Sequence, residues 1–269
     1  INWAKDKNLE LFLTEKIISD VRAKEFDQPV INSKEKISEM DFMLVLGGDG
    51  TFLSCARAVE NRSTPILGIH LGDLGFLAKV TLENIFQRLD QVSNGLFTVE
   101  KRSMVKASIL KNGTSLTQYG LNDFVVSNGE SHRMLIAEVY VDDNRVSEYK
   151  ADGLIVATPT GSTAYSLSSG GPIISPDVDS FVITPISAHT LNSRPLVVSA
   201  KSRIKIQFSP YNENILLITD GQLHELLTAQ DTVLITDSDF EIGLIDFEDD
   251  DYFQTLRTKM GWGTRGGSN

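Results

Sequence analysis

The chain has one cysteine in 269 residues, Cys55, so no disulfide can form within it. That scarcity points to a reducing compartment, and a place in the helical pattern behind a glycine loop makes Cys55 core filler rather than a nucleophile. Positive charge is also in deficit. With 25 Lys and Arg against 36 Asp and Glu, the formal charge of −11 opposes attachment to nucleic acid or an anionic membrane. No apolar run reaches the roughly 18 residues of a membrane-spanning helix. The opening Ile1-Asn2-Trp3-Ala4-Lys5-Asp6 carries no signal-peptide pattern, and there is no tandem repeat. With 41% hydrophobic residues nothing suggests disorder. The expectation is a soluble, cytoplasmic protein with no nucleic-acid or membrane partner, long enough for two domains or one large one.

The sequence is organised around Phe42-Met43-Leu44-Val45-Leu46-Gly47-Gly48-Asp49-Gly50-Thr51. Five apolar residues, too few for a helix, predict a buried strand that runs into three glycines around one carboxylate. Glycines let backbone N–H groups approach and point at phosphate oxygens. A carboxylate beside polyphosphate is repelled unless a divalent cation lies between them or the carboxylate handles a proton. Phe52, Leu53, Ala56 and Val59 have helical spacing, so a helix is expected from Thr51, its positive end facing the same anion. A glycine-rich turn with Asp49 as a helix cap would read the same way.

Ahead of this stretch, Leu9, Leu13, Ile17 and Val21, with Phe12 on the flank, predict a first helix. An open α/β domain usually starts with a strand, so one is expected upstream of Ile1. After it, residues 65–71 predict a second strand and residues 72–77 a second glycine-punctuated loop. Leu82, Ile85, Phe86, Leu89 and Val92 predict an amphipathic helix that Gly95 closes. Strands that end in glycine loops, each followed by a helix, imply a parallel sheet with its ligand at the carboxyl edge.

Near Leu96 the texture changes to short apolar bursts between turn signals such as Asp142-Asp143-Asn144 and Asp220-Gly221. Ile136, Val139 and Val141, then Ile204, Ile206 and Phe208, then Val233, Leu234 and Ile235, fit the strands of a two-sheet domain. Within it, residues 151–172 run from an apolar strand into Thr158-Pro159-Thr160-Gly161-Ser162-Thr163-Ala164-Tyr165-Ser166-Leu167-Ser168, where N–H and hydroxyl groups suit sugar and amide recognition, though by composition alone a structural turn capped by its own Ser and Thr side chains fits better. A terminal segment with Phe253, Leu256 and Met260 on one helical face follows the acidic run 248–251, and its Gly-rich tail 266–269 is expected to fray.

The loop at Gly47-Gly48-Asp49-Gly50-Thr51, the Leu-Gly-Phe loop, Leu121-Asn122-Asp123, residues 152–172, and Ser187-Ala188-His189-Thr190-Leu191-Asn192-Ser193-Arg194-Pro195-Leu196 together resemble bacterial NAD kinases, in order and spacing. The ending at residues 252–262 resembles the form in proteobacterial members. The resemblance implies an N-terminal Rossmann-like α/β domain, residues 1–97 with 251–269 returning to it, and a C-terminal β-sandwich domain, residues 98–250. It implies ATP as phosphoryl donor, NAD as substrate, phosphorylation at the adenosine 2′-hydroxyl, and Mg²⁺ carried by the nucleotide phosphates.

Carried over residue by residue, Asp49 matches the proton acceptor, with Gly50 beside it at the ribose. Asn122 and Asp123 match the pair that holds NAD. Thr163, Ala164, Tyr165, Ser166, Leu167 and Ser168 match the dinucleotide loop, and Asp152 the acidic residue near the nicotinamide. Arg133, Lys150 and Gln222 fall at site-lining positions whose type varies, and Phe76 at a ligand-packing one. Lys150 also fits a solvated strand edge and Phe76 a core aromatic. Asp73 departs from the family, where other residues are common. The family further implies a homodimer or homotetramer built through the β domain, with the dinucleotide site borrowing residues from a neighbouring subunit. A kinase for lipids or sugars with the same glycine loop, or a silent dinucleotide sensor, are the rival readings.

Overall fold

The computed structural model describes residues 1–19, 27–31, 33–72, 75–111, 113–129, 133–190 and 192–262. The expectations for Val21, Asp73, Leu74 and the tail 266–269 lie outside the described residues. The chain forms two compact units, residues 1–101 with 242–269 and residues 102–241. It passes from one unit to the other within two long strands, Thr98–Lys111 and Thr232–Asp246. No helix of the described residues is long and apolar enough to cross a membrane.

The first unit is α/β. Strand Met43–Leu46 pairs in parallel with Ile66–Ile69, and Leu244 continues the parallel pairing beside Ile66. Helix Asp49–Val59 buries Phe52, Leu53, Ala56 and Val59, the face its spacing predicts. Helix Ile85–Ser93 buries Leu89 and Val92, which join Leu67, Ile69, Val80, Ile245 and Phe247 in one core. Gly95 takes φ +70 behind it, the left-handed turn that glycine tolerates. Leu82 and Phe86, however, are exposed, so the buried stripe is narrower than expected. The last helix, Tyr252–Met260, starts at Asp251, whose side chain accepts from Phe253 N, and stops at left-handed Gly261.

The expected first helix is corrected. The structure has a helix at Asn2–Asp6, a strand at Leu13–Thr14 paired in parallel with Val30–Ile31, and a short helix at Glu15–Ile18. Asn8 takes φ +55 and ends the first helix, with its N–H bonded to Lys5 O and Leu9 N–H to Ala4 O. The spacing of Leu9, Leu13 and Ile17 misled because four residues is also twice the strand period.

The second unit is sheet-rich. One antiparallel sheet has the strand order Leu196–Ser199, Ser180–Ile186, Gly153–Ala157, Asp123–Ser127, Ile215–Thr219, Leu223–Leu227. In the other, Ile204–Phe208 lies between the start of Thr232–Asp246 and Leu135–Val141, which pairs with Asn144–Ala151. Phe124, Val126, Leu154, Val156 and Phe181 from one sheet share a buried core with Ala137, Val139, Ile204, Ile206 and Val233 from the other. That is a β-sandwich. The opposite face of the first sheet is also covered, where Val125, Ile155, Ala157 and Val182 meet Ile174. Strand Gly153–Ala157 is therefore buried throughout, which explains its unbroken apolar sequence.

Candidate functional site

In the first unit the strand Met43–Leu46 delivers the chain to a glycine turn. A Cβ on Gly47, at φ +156, would meet the Thr51 side chain at 2.5 Å, so the turn closes only with glycine there. Gly47 N–H bonds to Ile69 O at 2.9 Å, which pins the loop to the neighbouring strand. Gly48 caps the helix, and a Cβ there would meet nothing within 4 Å; it and Gly50 are exposed. The helix starts at Asp49, two residues ahead of the expected Thr51.

Asp49 is not a helix cap. Its carboxylate reaches across to the second loop, where Oδ2 accepts from Phe76 N at 3.1 Å and Oδ1 from Leu77 N at 3.2 Å and Ala78 N at 3.3 Å. A Cβ on Gly75 would collide with Asp49 Oδ1, so the Leu-Gly-Phe sequence needs its glycine for the loop to wrap the carboxylate. Phe76 is half-buried, its ring centroid 6.3 Å from that of Tyr252. Cys55 is half-buried on the helix, and burial pushes its thiol up to about 12, as suits packing and not attack. His70 is buried just past the strand end, with Nδ1 2.6 Å from Gly72 O.

In the second unit, Asn122 and Asp123 sit where the chain enters the strand Asp123–Ser127. Their backbone is gripped by Asp220, which accepts from Leu121 N at 3.2 Å, Asn122 N at 2.8 Å and Asp123 N at 3.2 Å. Asp220 and Gly221, both at positive φ, form the turn between the strands Ile215–Thr219 and Leu223–Leu227, and Gln222 follows in it. On the other side, Thr158 Oγ1 donates to Leu121 O at 2.6 Å, and Thr158 N–H to Asn122 O at 2.9 Å. Gly161 stacks directly on the Asn122 backbone, leaving no room for a side chain. The hydroxyl-dense loop is thus fastened to the Asn122 turn.

Within that loop the hydroxyls divide. Ser162 and Ser166 are fully buried: Ser162 Oγ donates to Pro159 O at 2.6 Å and accepts from Ile174 N at 2.9 Å, while Ser166 Oγ lies 2.8 Å from Thr184 Oγ1. These serve the loop's own shape. Tyr165 is 46% exposed and Ser168 is exposed, while Thr163, Ala164 and Leu167 are half-buried, so those side chains offer the accessible surface.

The structure brings Asn122, Asp123 and Gln222 to one end of the sandwich, and residues 163–168 run from that end over the sheet's outer face, where Ser166 meets Thr184. It puts Arg133, Lys150 and Asp152 at the other. Ala157 pairs with Asp123 while Gly153 pairs with Ser127, so Asp152 and Thr158 flank opposite ends of one strand, about 20 Å apart at 3.3 Å per residue. Leu135 pairs with Ala151 and Ile136 with Lys150, which places Arg133 at the Asp152 end. Arg133, Lys150 and Asp152 are all exposed, with Arg133 3.7 Å from Glu213 and Lys150 3.3 Å from Glu148.

Asp123 is 4% exposed, and its carboxyl is pushed up to about 7, by burial first and by the Asp220 charge second. The folded state therefore binds a proton between its ordinary 3.8 and about 7 that the unfolded chain has released, and stability present below pH 4 is lost as the pH rises through 7. Asp123→Asn removes that loss. Its gain over the parent is expected to be roughly 1–3 kcal/mol at pH 8 and to vanish near pH 4, below a ceiling of about 4 kcal/mol for a shift of that size. Thermal melts of both proteins at the two pH values check it.

Sequence reasoning missed Asp220 and Thr158 as site residues. Asp220-Gly221 was legible only as a turn, and nothing local announces that its carboxylate holds three N–H groups a hundred residues upstream. Among the described residues no three His, Cys, Asp or Glu side chains cluster as a metal site requires.

A glycine turn opening on a helix with a fixed carboxylate beside it in the α/β unit, and a hydroxyl-dense loop in the sheet-rich unit, define an α/β plus β protein. Comparison with known proteins narrows the class. Residues 7–97 match the family described as ATP-NAD kinase N-terminal domain, and residues 121–247 match ATP-NAD kinase C-terminal domain. The NAD kinase of Syntrophotalea carbinolica is 42% identical over 267 residues, covering 98% of this chain and 92% of that protein. That of Teredinibacter turnerae is 38% identical over 273 residues, covering 100% and 92%. Among solved structures, yeast NADH kinase complexed with NADH superposes with a TM-score of 0.87 at 24% identity, over 98% of this chain and 83% of that one, a likeness of fold. An Archaeoglobus fulgidus NAD kinase in complex with ATP gives 0.74 at 26% identity, over 93% and 97%. The chain belongs to the NAD kinase family.

Proposed function

We propose that this chain transfers the γ-phosphoryl group of ATP to the adenosine 2′-hydroxyl of NAD, giving NADP. The observation that carries the reading is the state of Asp49. A carboxylate offers about four lone-pair positions. The described donors take two positions on Oδ1 and one on Oδ2, which leaves Oδ2 able to accept a further hydrogen bond beside the exposed Gly48 and Gly50. In this reading Oδ2 orients the 2′-hydroxyl and accepts its proton as the phosphoryl group arrives. A loose transition state needs the proton removed only late, so orientation by three N–H groups matters as much as basicity. Gly50 lies at the ribose and Phe76 packs on the ligand. Mg²⁺, carried by the nucleotide phosphates, would offset their repulsion from Asp49.

Asn122 and Asp123 hold NAD, with Gln222 beside them, and Thr163, Ala164, Tyr165, Leu167 and Ser168 form its loop. Ser166 contributes through the loop backbone, since its hydroxyl faces Thr184. In this reading residues 1–97, with 251–269 returning to them, form the α/β domain that carries the phosphate loop, and 98–250 form the dinucleotide domain. The protein works in the cytoplasm, where a single thiol stays reduced, and its ending at 252–262 is of the proteobacterial form. NADP formation from NAD, ATP and Mg²⁺, run beside lipid and sugar acceptors, tests the assignment: phosphorylation of NAD alone supports it, and transfer to a lipid or sugar instead rejects it.

Arg133, Lys150 and Asp152 serve the site of a neighbouring copy in a homodimer or homotetramer. Their distance from Asp123 along one strand supports this, because one bound dinucleotide would otherwise have to reach both ends of the sandwich. Mixing equal amounts of Asp49→Asn and Asp152→Asn subunits should then restore roughly a quarter of parental activity, since half of the pairs are mixed and each mixed pair has one intact site of two. Mixtures no more active than the two variants alone mean that the sites are not shared.

A further inference from the structure

The N–H groups that hold Asp49 belong to residues 76–78, and the next residue is a half-buried lysine. Lys79 Nζ lies 2.9 Å from Asp246 Oδ2 and 3.4 Å from Glu100 Oε2, and its side chain is 12% exposed. Its neighbours Ala78 and Val80 are buried apolar residues. Packing alone would be met by a third apolar side chain, and an ion pair so placed generally adds little net stability over an apolar replacement. What it adds here is a fixed direction.

The backbone around it is held on one side. Val80 N–H bonds to Gly68 O at 3.2 Å and Val80 O accepts from His70 N at 2.9 Å, while Ala78 sits so close to Gly68 that a Cβ there would meet its Cα at 2.8 Å. The Lys79 side chain leaves in another direction and ties the segment to Asp246. Beyond Asp246, Phe247 packs under the Arg88 guanidinium at 4.3 Å. Arg88 holds Asp249 at 2.7 and 3.0 Å and Asp250 at 3.4 Å. The anchor for Lys79 is therefore a strap fixed to the helix Ile85–Ser93, not a loose surface carboxylate.

We propose that Lys79 is a positioning residue for phosphoryl transfer: its ion pair with Asp246 keeps the N–H groups of residues 76–78 aimed at Asp49. The inference rests on the kinase reading above. Asp49 is held by the loop, the loop by Lys79, and Lys79 by the strap.

The test is a mutant cycle on NADP formation, with the parent, Lys79→Met, Lys79→Arg, Asp49→Asn and the double variant Lys79→Met/Asp49→Asn. A small misplacement of a catalytic group costs up to about 100-fold, so Lys79→Met is expected to lower kcat roughly 10- to 100-fold, with KM for NAD and ATP within about twofold. Lys79→Arg should retain most of the activity. In the Asp49→Asn background Lys79→Met should have no further effect, because the group that it positions is gone. Parental kcat in Lys79→Met, or an equal fall in both backgrounds, overturns the proposal. Should Lys79→Met not fold, Asp246→Ala removes the acceptor from the other side and should lower kcat in the same direction; parental kcat there also overturns it. If Asp49→Asn itself has parental kcat, the catalytic assignment fails and this inference falls with it, whereas loss in Asp49→Asn without loss in Lys79→Met removes only this inference.

Discussion

Replacing Asp49 with asparagine lowers kcat for NAD phosphorylation at least ~10²-fold, the scale of a general-base contribution, and leaves KM for both substrates nearly unchanged. The geometry explains why so small a change is severe. Two N–H groups point at Oδ1, so the amide oxygen of the variant must occupy that position. Its NH₂ then stands at Oδ2, facing the N–H of Phe76 at 3.1 Å, donor against donor. The variant offers the incoming hydroxyl a donor where it needs an acceptor. One of the loop's three anchors to residue 49 is also lost, at a cost of about 1–3 kcal/mol. Stopped assays at saturating NAD and ATP, with a melting curve to confirm folding, check the outcome. Equal kcat in parent and variant would keep a kinase but remove Asp49 as its proton acceptor.

Asp220→Ala is expected to be the most destabilising polar substitution in the second unit. It deprives Leu121, Asn122 and Asp123 N–H of their common acceptor, and two of those residues are buried. An unsatisfied buried donor costs about 1–3 kcal/mol, and water can reach half-buried Asn122, so the sum is roughly 3–5 kcal/mol. Part is returned, because Asp220's negative charge no longer opposes ionisation of Asp123. Since the Asn122 backbone also carries Thr158 and Gly161, KM for NAD should rise roughly tenfold as the turn loosens. Asp220→Asn keeps an acceptor oxygen, and asparagine tolerates the positive φ of 50° at this position, so its effect is smaller. Denaturant unfolding of the three proteins decides it: an alanine variant within ~0.5 kcal/mol of the parent would mean that the clamp carries no load.

What could be read from the sequence was what local chemistry encodes. The apolar run before Gly47, the helical spacing of Phe52 to Val59, and the alternating strands of the sandwich each follow from the period of one element. The glycine loop was legible as a tight turn, and at Gly47 no other residue fits, because a Cβ there would meet the Thr51 side chain. The first helix was misplaced because the four-residue spacing of Leu9, Leu13 and Ile17 is also twice the strand period, and Leu13–Thr14 is a strand. Long-range partners were invisible. Nothing near Asp49 says that residues 76–78 hold it, and nothing near Asp220 says that it clamps residues 121–123. The division of the hydroxyl-rich loop into buried Ser162 and Ser166 and exposed Tyr165 and Ser168 also depends on where Ile174 and Thr184 come to lie.

The most direct test of the whole account is the position of the new phosphate in the product. NAD incubated with the parent chain, ATP and Mg²⁺ and followed by ³¹P NMR should give one phosphomonoester on the adenosine 2′-oxygen, formed in step with ADP. ATP-independent binding of NAD with no phosphomonoester would contradict the account and leave a dinucleotide sensor in its place.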